Sequence, residues 1–290
     1  MTKTKTIASF SAHALANGFA FPECPRFHDG AVWFSDQHDR RVLRLALDGT
    51  CTEAISVPGG PSGLGWLPGG DLLIVAMHER CLYRWHDGAL TRHADLAPLH
   101  PFYSNDMVVD GAGRAYVGNI GFDFYAGAAP APTVLVRVDA DGTAHVAAEN
   151  LMCPNGTVIS PDGRTLIVAE SMAHRLTAFD IDGHGNLSRR RVFAQVDGHV
   201  PDGICLDAEG CIWFASPYAG RVVRVREGGE IVAEVTTAGA NPYACILGGP
   251  DGRDLYICCA PHHDPAKTVA ARGGRIDVAR VAVGAAGGWP

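Results

Sequence analysis

The chain has 290 residues and a net charge of −7, with 47% hydrophobic and 19% charged residues. The hydrophobic content excludes a disordered chain. The acidic balance, without a clustered basic face, argues against binding to nucleic acid or to an anionic membrane. The 35 glycines and 18 prolines predict frequent turns. The sequence has no apolar run of about 18 residues, so no membrane-spanning helix is expected.

The start of the chain and its cysteines bear on location. The start, MTKTKTIASFSAHAL, lacks the apolar core of about 7–15 residues that a secretion signal carries. The nine cysteines are scattered apart from Cys258-Cys259, and none has the ligand spacing of a structural zinc site. We therefore expect a reduced, cytoplasmic protein in which most cysteines are small buried residues.

One pattern recurs six times: an apolar segment, a tight turn that ends in glycine, and four or five β-forming residues. Each repeat continues into a strand of alternating character, for example RRVLRLAL at 40–47 and GRVVRVR at 220–226. The turn glycines are 40 to 50 residues apart, at Gly30, Gly70, Gly113, Gly163, Gly210 and Gly252. This period is typical of four-stranded propeller blades.

The sequence therefore predicts an all-β, six-bladed propeller with four-stranded antiparallel blades, formed by residues 1–290 as one domain. The repeats are expected at about 19–50, 60–90, 103–143, 152–187, 200–230 and 241–283. Segments 5–20 and 270–285 are expected to lie side by side and to complete one blade. Only 10–20 and 261–271 are candidates for a short helix. A closed ring exposes no long edge strand, which favours a monomer or a dimer.

Equivalent positions in propeller repeats lie at the same height around the central channel. Seven or eight residues before the turn glycine, the repeats carry Glu23, Ser62, Asn105, Asn155, Asp202 and Ala244, which we call the ring positions. Two carboxylates that face one another in a narrow channel repel unless a cation lies between them. Carboxylate and amide oxygens suit Ca²⁺, Mg²⁺ or Mn²⁺ better than a structural zinc ion. The ring positions thus predict a site for one divalent metal ion.

A simpler explanation exists for each ring position taken alone, because Asn-Gly and Asp-Gly are common turn signals. The recurrence of oxygen donors at one offset, joined by Glu23, is what favours a metal site. A cation held by about three or four protein ligands keeps positions open for water or substrate, as metal-assisted hydrolysis requires.

From about residue 19 to 283, the chain resembles the regucalcin/gluconolactonase (senescence-marker-protein-like) family of six-bladed propellers. The segments that carry the resemblance are PECPRFHDGAVWFSD, SNDMVVDGAGRAYVGN, PNGTVISPDGRTLIVAES and VPDGICLDAEGCIWFAS. The resemblance implies one divalent ion, Ca²⁺ first and Mg²⁺, Mn²⁺ or Zn²⁺ as alternatives, bound by Glu23, Asn155 and Asp202. It implies that Asn105 contacts substrate or metal-bound water. It also implies lactone hydrolysis in which the metal polarises the carbonyl and Asp202 acts as base toward water.

The chain departs from that family around the expected substrate. Sugar-lactone members place an arginine two residues before the ND asparagine, where this chain has Tyr103. The acidic residue on the following loop is present as Asp123, and the aromatic residues nearby are Phe102, Phe122, Phe124 and Tyr125. We expect Tyr103 and Asp123 to bind substrate, and the substrate to be less polar than a sugar lactone. Packing inside a blade is an equal alternative for the aromatic residues.

The sequence therefore predicts a metal-dependent hydrolase that opens the lactone ring of a small molecule, without a nucleic-acid, membrane or protein partner. One alternative keeps the site but changes the substrate to another ester or an organophosphate. Another is a non-catalytic, calcium-binding regulatory propeller, whose structural ion would be fully coordinated by protein. The sequence has neither a G-x-S-x-G nucleophile elbow nor a G-x-x-x-x-G-K-[ST] phosphate loop.

Overall fold

The fold is the predicted six-bladed propeller, which the strand pairing confirms. The computed structural model describes residues 7–237 and 239–288, whose strands form six sheets. All six turn glycines have positive φ, from 69° at Gly30 to 93° at Gly70, a backbone conformation that glycine adopts without steric cost.

Blades 1 to 3 follow one another along the chain, and each has four antiparallel strands. Blade 1 consists of β3 (Pro22–His28), β4 (Ala31–Asp36), β5 (Arg41–Leu45) and β6 (Cys51–Ser56), and it follows β1 (Ala8–Ser11) and β2 (His13–Phe19). Blade 2 consists of β7 (Pro61–Trp66), β8 (Leu72–Ala76), β9 (Cys81–His86) and β10 (Ala89–Asp95). Blade 3 consists of β11 (Ser104–Val109), β12 (Ala115–Asn119), β13 (Thr133–Val138) and β14 (Ala144–Leu151).

Blades 4 to 6 repeat this arrangement. Blade 4 consists of β15 (Pro154–Ile159), β16 (Thr165–Glu170), β17 (Arg175–Ile181) and β18 (Leu187–Gln195). Blade 5 consists of β19 (Ile204–Leu206), β20 (Ile212–Ser216), β21 (Arg221–Val225) and β22 (Ile231–Thr236). Blade 6 consists of β23 (Asn241–Gly248), β24 (Asp254–Ala260) and β25 (Gly274–Arg280), with β2 as its fourth strand.

The N-terminal segment contributes to two blades. β2 pairs antiparallel with β25, with His13 opposite Val278. β1 pairs in parallel with β22, with Ala8 opposite Ala233, so blade 5 has a fifth strand that the sequence did not predict. Of the two candidate helical stretches, 10–20 is strand, whereas 261–271 contains the helix α1 (Pro265–Ala271). No helix within the described part of the chain is long and apolar enough to cross a membrane.

The first strand of each blade lies innermost, and the core lies between blades. Every residue of β11 is buried, whereas most residues of the fourth strand β18 are exposed. Apolar side chains from facing blades interlock, as Leu73 and Val75 of blade 2 do with Met107 and Val109 of blade 3.

In five of the six blades the ring position falls at an irregularity in the first strand, whereas Asp202 of blade 5 precedes β19. Strand register shifts between Glu23 and Arg26, Pro61 and Leu64, Ser104 and Met107, Pro154 and Thr157, and Pro242 and Ala244. A bulge redirects the side chains next to it and ends regular pairing. The bulges therefore explain why a ring residue faces the channel although its strand is otherwise packed between blades.

The glycines that follow three ring positions are not turn glycines. Gly63, Gly156 and Gly203 all lack positive φ. A Cβ atom on Gly63 would lie 2.5 Å from the backbone nitrogen of Met107, and one on Gly203 would lie 2.3 Å from Cβ of Ala244. The turn explanation of the Asn-Gly and Asp-Gly pairs is therefore wrong: glycine is required because neighbouring first strands approach so closely.

We expect Gly63→Ala to destabilise the protein by about 1–3 kcal/mol, because the backbone of β11 must move to make room for the methyl group. Gly183→Ala is the matched control, since a Cβ atom there meets no atom within 4 Å. Urea unfolding followed by fluorescence measures both. Equal midpoints for the two variants would show that the first strands are not in tight contact.

Candidate functional site

One end of the channel opens into a pocket of about 710 Å³, including solvent space at its mouth, to which all six blades contribute. Four of the six ring positions line it, namely Glu23, Asn105, Asn155 and Asp202. Ser62 and Ala244 are buried beside them and do not line the pocket. The structure thus brings together the three predicted metal ligands and one of the three predicted substrate-binding residues.

Asn155 and Asp202 form one side of the site. The Nδ2 of Asn155 donates hydrogen bonds to Oδ1 of Asp202 at 2.5 Å and to Oγ of Ser171 at 3.2 Å. Ser171 in turn donates to the carbonyl oxygen of Pro201 at 2.7 Å, and the Asp202 amide donates to the Ala215 carbonyl at 3.0 Å. These bonds fix the segment before β19 and hold the Asp202 carboxylate at the pocket.

Glu23 and Asn105 form the other side. Oε2 of Glu23 accepts a hydrogen bond from the Cys24 amide at 2.9 Å. Oδ1 of Asn105 accepts from Oγ of Ser62 at 3.3 Å, and Ser62 accepts from Nε2 of Gln37 at 3.1 Å. Ser62 therefore orients the side chain of Asn105.

The two carboxylates retain their protons more strongly than free carboxylates. Burial raises the pKa of Glu23 well above its usual value, and the charge of Asp202 raises it further. Burial raises the pKa of Asp202 to about 8, and Asp106 adds to this shift, against the hydrogen bond from Asn155. Because a cation favours the charged form of both groups, the side chains present fit a divalent ion.

The donor set combines carboxylates with amides. Across residues 7–237 and 239–288, no group of three or more His, Cys, Asp or Glu side chains is placed to hold a metal ion. The candidate site has two such side chains, Glu23 and Asp202, together with the amide of Asn155. Oxygen donors of this kind suit hard cations such as Ca²⁺ and Mg²⁺.

A buried ion pair links blades 1 and 3. Nη2 of Arg26 lies 2.6 Å from Oδ1 of Asp106 and donates to the carbonyl oxygen of Met107 at 2.5 Å. Both side chains are at least nine-tenths buried. Arg26 therefore compensates the charge of Asp106, the residue next to Asn105, so that the acidic excess of the site rests with Glu23 and Asp202. The sequence signal was an arginine between Pro25 and Phe27, inside a first strand of the repeat.

Tyr103 and Asp123 lie near the mouth, outside the set of residues that line the pocket. The Tyr103 ring contacts those of His78 at 4.5 Å and Tyr125 at 6.5 Å, measured between centroids. The exposed Asp123 accepts a hydrogen bond from the Ala126 amide at 3.1 Å and so supports the turn that carries Phe124. A direct contact of Tyr103 or Asp123 with substrate stays a prediction.

Sequence reasoning missed a second set of lining residues. The residue directly after the second strand lines the pocket in blades 1 to 5, namely Gln37, Met77, Ile120, Ser171 and Pro217. A comparison of the residue directly after the second strand in each repeat would have identified them. Tyr218, Tyr243 and His263 also line the pocket. Glu170, the last residue of β16, is not among the lining residues and pairs with Arg175 at 2.9 Å inside blade 4.

Fold and site together define a β-propeller with an all-oxygen donor set at one end of its channel. The profile of the SMP-30/Gluconolactonase/LRE-like region matches residues 21–261. The chain belongs to this family, which confirms the resemblance seen in the sequence. It is 31% identical to regucalcin of Sus scrofa over 242 residues, which are 79% of each chain.

Two further comparisons are a sequence match over part of the chain and a superposition on a crystal structure. Over 139 residues the chain is 34% identical to a 6-deoxy-6-sulfogluconolactonase of Pseudomonas putida, and this match spans 47% of the chain and about half, 48%, of that protein. The crystal structure of regucalcin from Agrobacterium tumefaciens, described as a calcium-binding protein, superposes with a TM-score of 0.81 at 24% identity. It covers 98% of this chain and 99% of its own, and it establishes the shared propeller fold.

We expect the metal-free protein to lose stability as the pH rises. The folded chain holds the Asp202 proton up to a pKa of about 8, whereas the usual value is 3.8, so this stabilisation is present at low pH and is lost between these values. The melting temperature in EDTA should fall by several degrees from about pH 5 to pH 8, and Asp202→Asn should reduce the fall, leaving the part that Glu23 contributes. If the melting temperature fell equally with pH in Asp202→Asn and in the exposed control Asp197→Asn, the assignment would be contradicted.

We expect Arg26→Met to cost about 3–5 kcal/mol of unfolding free energy, because it leaves the Asp106 carboxylate buried without a partner. The double variant Arg26→Met/Asp106→Asn should recover much of the loss, since the remaining amide carries no charge. Denaturant titration of the three proteins gives both differences. A single variant as stable as the parent would show that Asp106 is compensated by another group.

Proposed function

We propose that the protein is a divalent-metal-dependent hydrolase that opens the lactone ring of a small molecule. The observation that carries the proposal is the pair of acidic side chains, Glu23 and Asp202, that line one pocket beside the amides of Asn105 and Asn155. Membership of the gluconolactonase family supports lactones as the substrate class. Tyr103, at the place of the family's arginine, supports a substrate less polar than a sugar lactone.

Glu23, Asn155 and Asp202 would hold the cation. The raised pKa values of the two carboxylates support this, because a bound cation offsets the unfavourable charges. Asn155 would contribute its amide oxygen in place of the hydrogen bond that its nitrogen donates to Asp202. When bound, the ion supplies Lewis-acid polarisation of the lactone carbonyl. Ca²⁺ is the first candidate, since the neighbour from Agrobacterium tumefaciens is described as calcium-binding.

The residues of the chain supply positioning and proton transfer. Asn105, oriented by Ser62, would hold the substrate by a hydrogen bond. Asp202 would accept a proton from the attacking water while the water oxygen bonds to the carbonyl carbon. The ring carbon–oxygen bond then breaks, and the proton ends on the released hydroxyl group. The apolar and aromatic side chains that line the pocket would limit the entry of other water molecules.

Two other functions remain as the alternatives to be tested. The same carboxylates would serve another ester or an organophosphate, and the aromatic residues at the pocket favour this alternative over a highly polar substrate. A calcium-binding regulatory propeller would need no substrate, although a pocket open to solvent beside the donors is more useful to an enzyme. We further propose a cytoplasmic protein that acts on small molecules without a macromolecular partner.

Hydrolysis of a lactone panel, followed with a pH indicator, tests the function. We expect turnover that disappears with EDTA and returns with one added divalent cation. Glu23→Gln and Asp202→Asn should each lower kcat/KM by about a thousandfold or more, since each removes a charge at the reacting centre. Glu149→Gln, an exposed residue of β14, is the matched control and should retain the parent rate. Full turnover by either acidic-site variant would rule out the proposed site.

A further inference from the structure

Aromatic rings form a continuous arc around the mouth of the pocket. Between ring centroids, Tyr103 lies 4.5 Å from His78 and 6.5 Å from Tyr125, Tyr125 lies 5.4 Å from Phe124, and Phe124 lies 5.5 Å from His263. We call these five residues the aromatic arc. Phe124 follows the second strand of blade 3, and His263 follows that of blade 6. Since these blades are opposite one another in a ring of six, the arc spans the pocket.

The segments next to Phe124 and His263 are held by hydrogen bonds. On the blade 3 side, the Gly127 amide donates to the carbonyl oxygen of Phe124 at 3.1 Å, and Asp123 accepts from the Ala126 amide. On the blade 6 side, α1 is tied to blade 1 by the hydrogen bond of 2.6 Å between Thr268 and His38. These bonds fix the backbone next to Phe124 and His263, which places their rings at the mouth of the site.

The charge of the pocket limits what can bind there. Within the described residues, those that line the pocket include two acids, Glu23 and Asp202, and no lysine or arginine. Burial lowers the pKa of the one lining histidine, His263, which keeps it neutral near neutral pH. A divalent cation would cancel the two acidic charges. A carboxylate, sulfonate or phosphate on the substrate would therefore have no positive partner apart from that ion.

We propose that the substrate is an uncharged lactone that carries an aromatic or alkyl substituent, and that Phe124, Tyr125 and His263 bind this substituent. This inference rests on the proposed lactone hydrolysis. The lactone carbonyl lies beside Glu23 and Asp202, and the substituent extends toward the mouth, where three rings from two blades surround it. Rings in these arrangements bind apolar groups by burial and by edge-to-face contact.

The test compares three δ-lactones that differ in their substituent: a phenyl group, the hydroxyl groups of a sugar lactone, and a carboxylate. Their lactam analogues, which resist hydrolysis, are titrated by calorimetry. We expect the phenyl lactone to have the highest kcat/KM and the phenyl lactam to bind at least about tenfold more tightly than the other two. A sugar or anionic lactone that reacts or binds as well would overturn the inference.

Variants of one arc residue identify where the substituent binds. Phe124→Ala should raise KM for the phenyl lactone and Kd for its lactam by about tenfold, with little change in kcat, because the lost contact is equal in ground and transition states. Phe124→Leu separates an aromatic contact from a merely apolar one and should lose less. Val192→Ala, an exposed residue on the outer strand of blade 4, is the control. Unchanged Kd in Phe124→Ala would overturn the assignment of the arc.

A further variant tests whether the absence of a positive charge at the mouth decides which substituent binds. Tyr103→Arg places a cation within the arc and should improve binding of the carboxylate lactam while weakening that of the phenyl lactam. No change in this ratio would count against the inference. If no lactone is hydrolysed at all, the proposed function fails, whereas the order of lactam affinities still decides whether the pocket selects uncharged apolar substituents.

Discussion

Six inner strands converge on one axis, and the close approach of their backbones determines which residues each strand can accommodate there. A Cβ atom on Gly203 would lie 2.3 Å from Cβ of Ala244, so the inner strands leave no room for side chains at such positions. Regular pairing is broken at the same height by bulges. In blade 4, a Cβ atom on Gly156 would lie 2.5 Å from the backbone nitrogen of Ile204, and the preceding residue, Asn155, lines the pocket beside the bulge.

This arrangement places the carboxylates of Glu23, Asp106 and Asp202 in a confined space, and the surrounding residues compensate the charge of only one of them. Asp106 has its own guanidinium partner in Arg26, held at 2.6 Å, whereas burial raises the pKa of both Glu23 and Asp202. A fold that neutralises one acid and not the other two keeps two negative charges for an external cation. The aromatic arc above them adds no positive charge, so selection at the mouth acts on shape and polarity.

The fold could be predicted from the sequence because each blade repeats the same turn, with glycine at positive φ from Gly30 to Gly252. The ring positions followed from an offset of seven or eight residues before that turn, and four of them line the candidate site. Long-range contacts leave no such periodic signal. The pairing of Arg26 with Asp106 joins blades that are not neighbours, and the meeting of Phe124 with His263 depends on two loops without a repeat. Neither could be predicted from spacing.

The two strands at the start of the chain affect the order of events during synthesis. β2 finds its partner only in β25, and β1 finds its partner in β22, so the N-terminal segment stays unpaired on the ribosome until nearly the whole chain has emerged. Glu23 belongs to the first blade and Asp202 to the fifth, and the sixth blade must join them. The two acidic side chains therefore cannot meet before the fifth blade has emerged, and a cation that needs both cannot be acquired earlier.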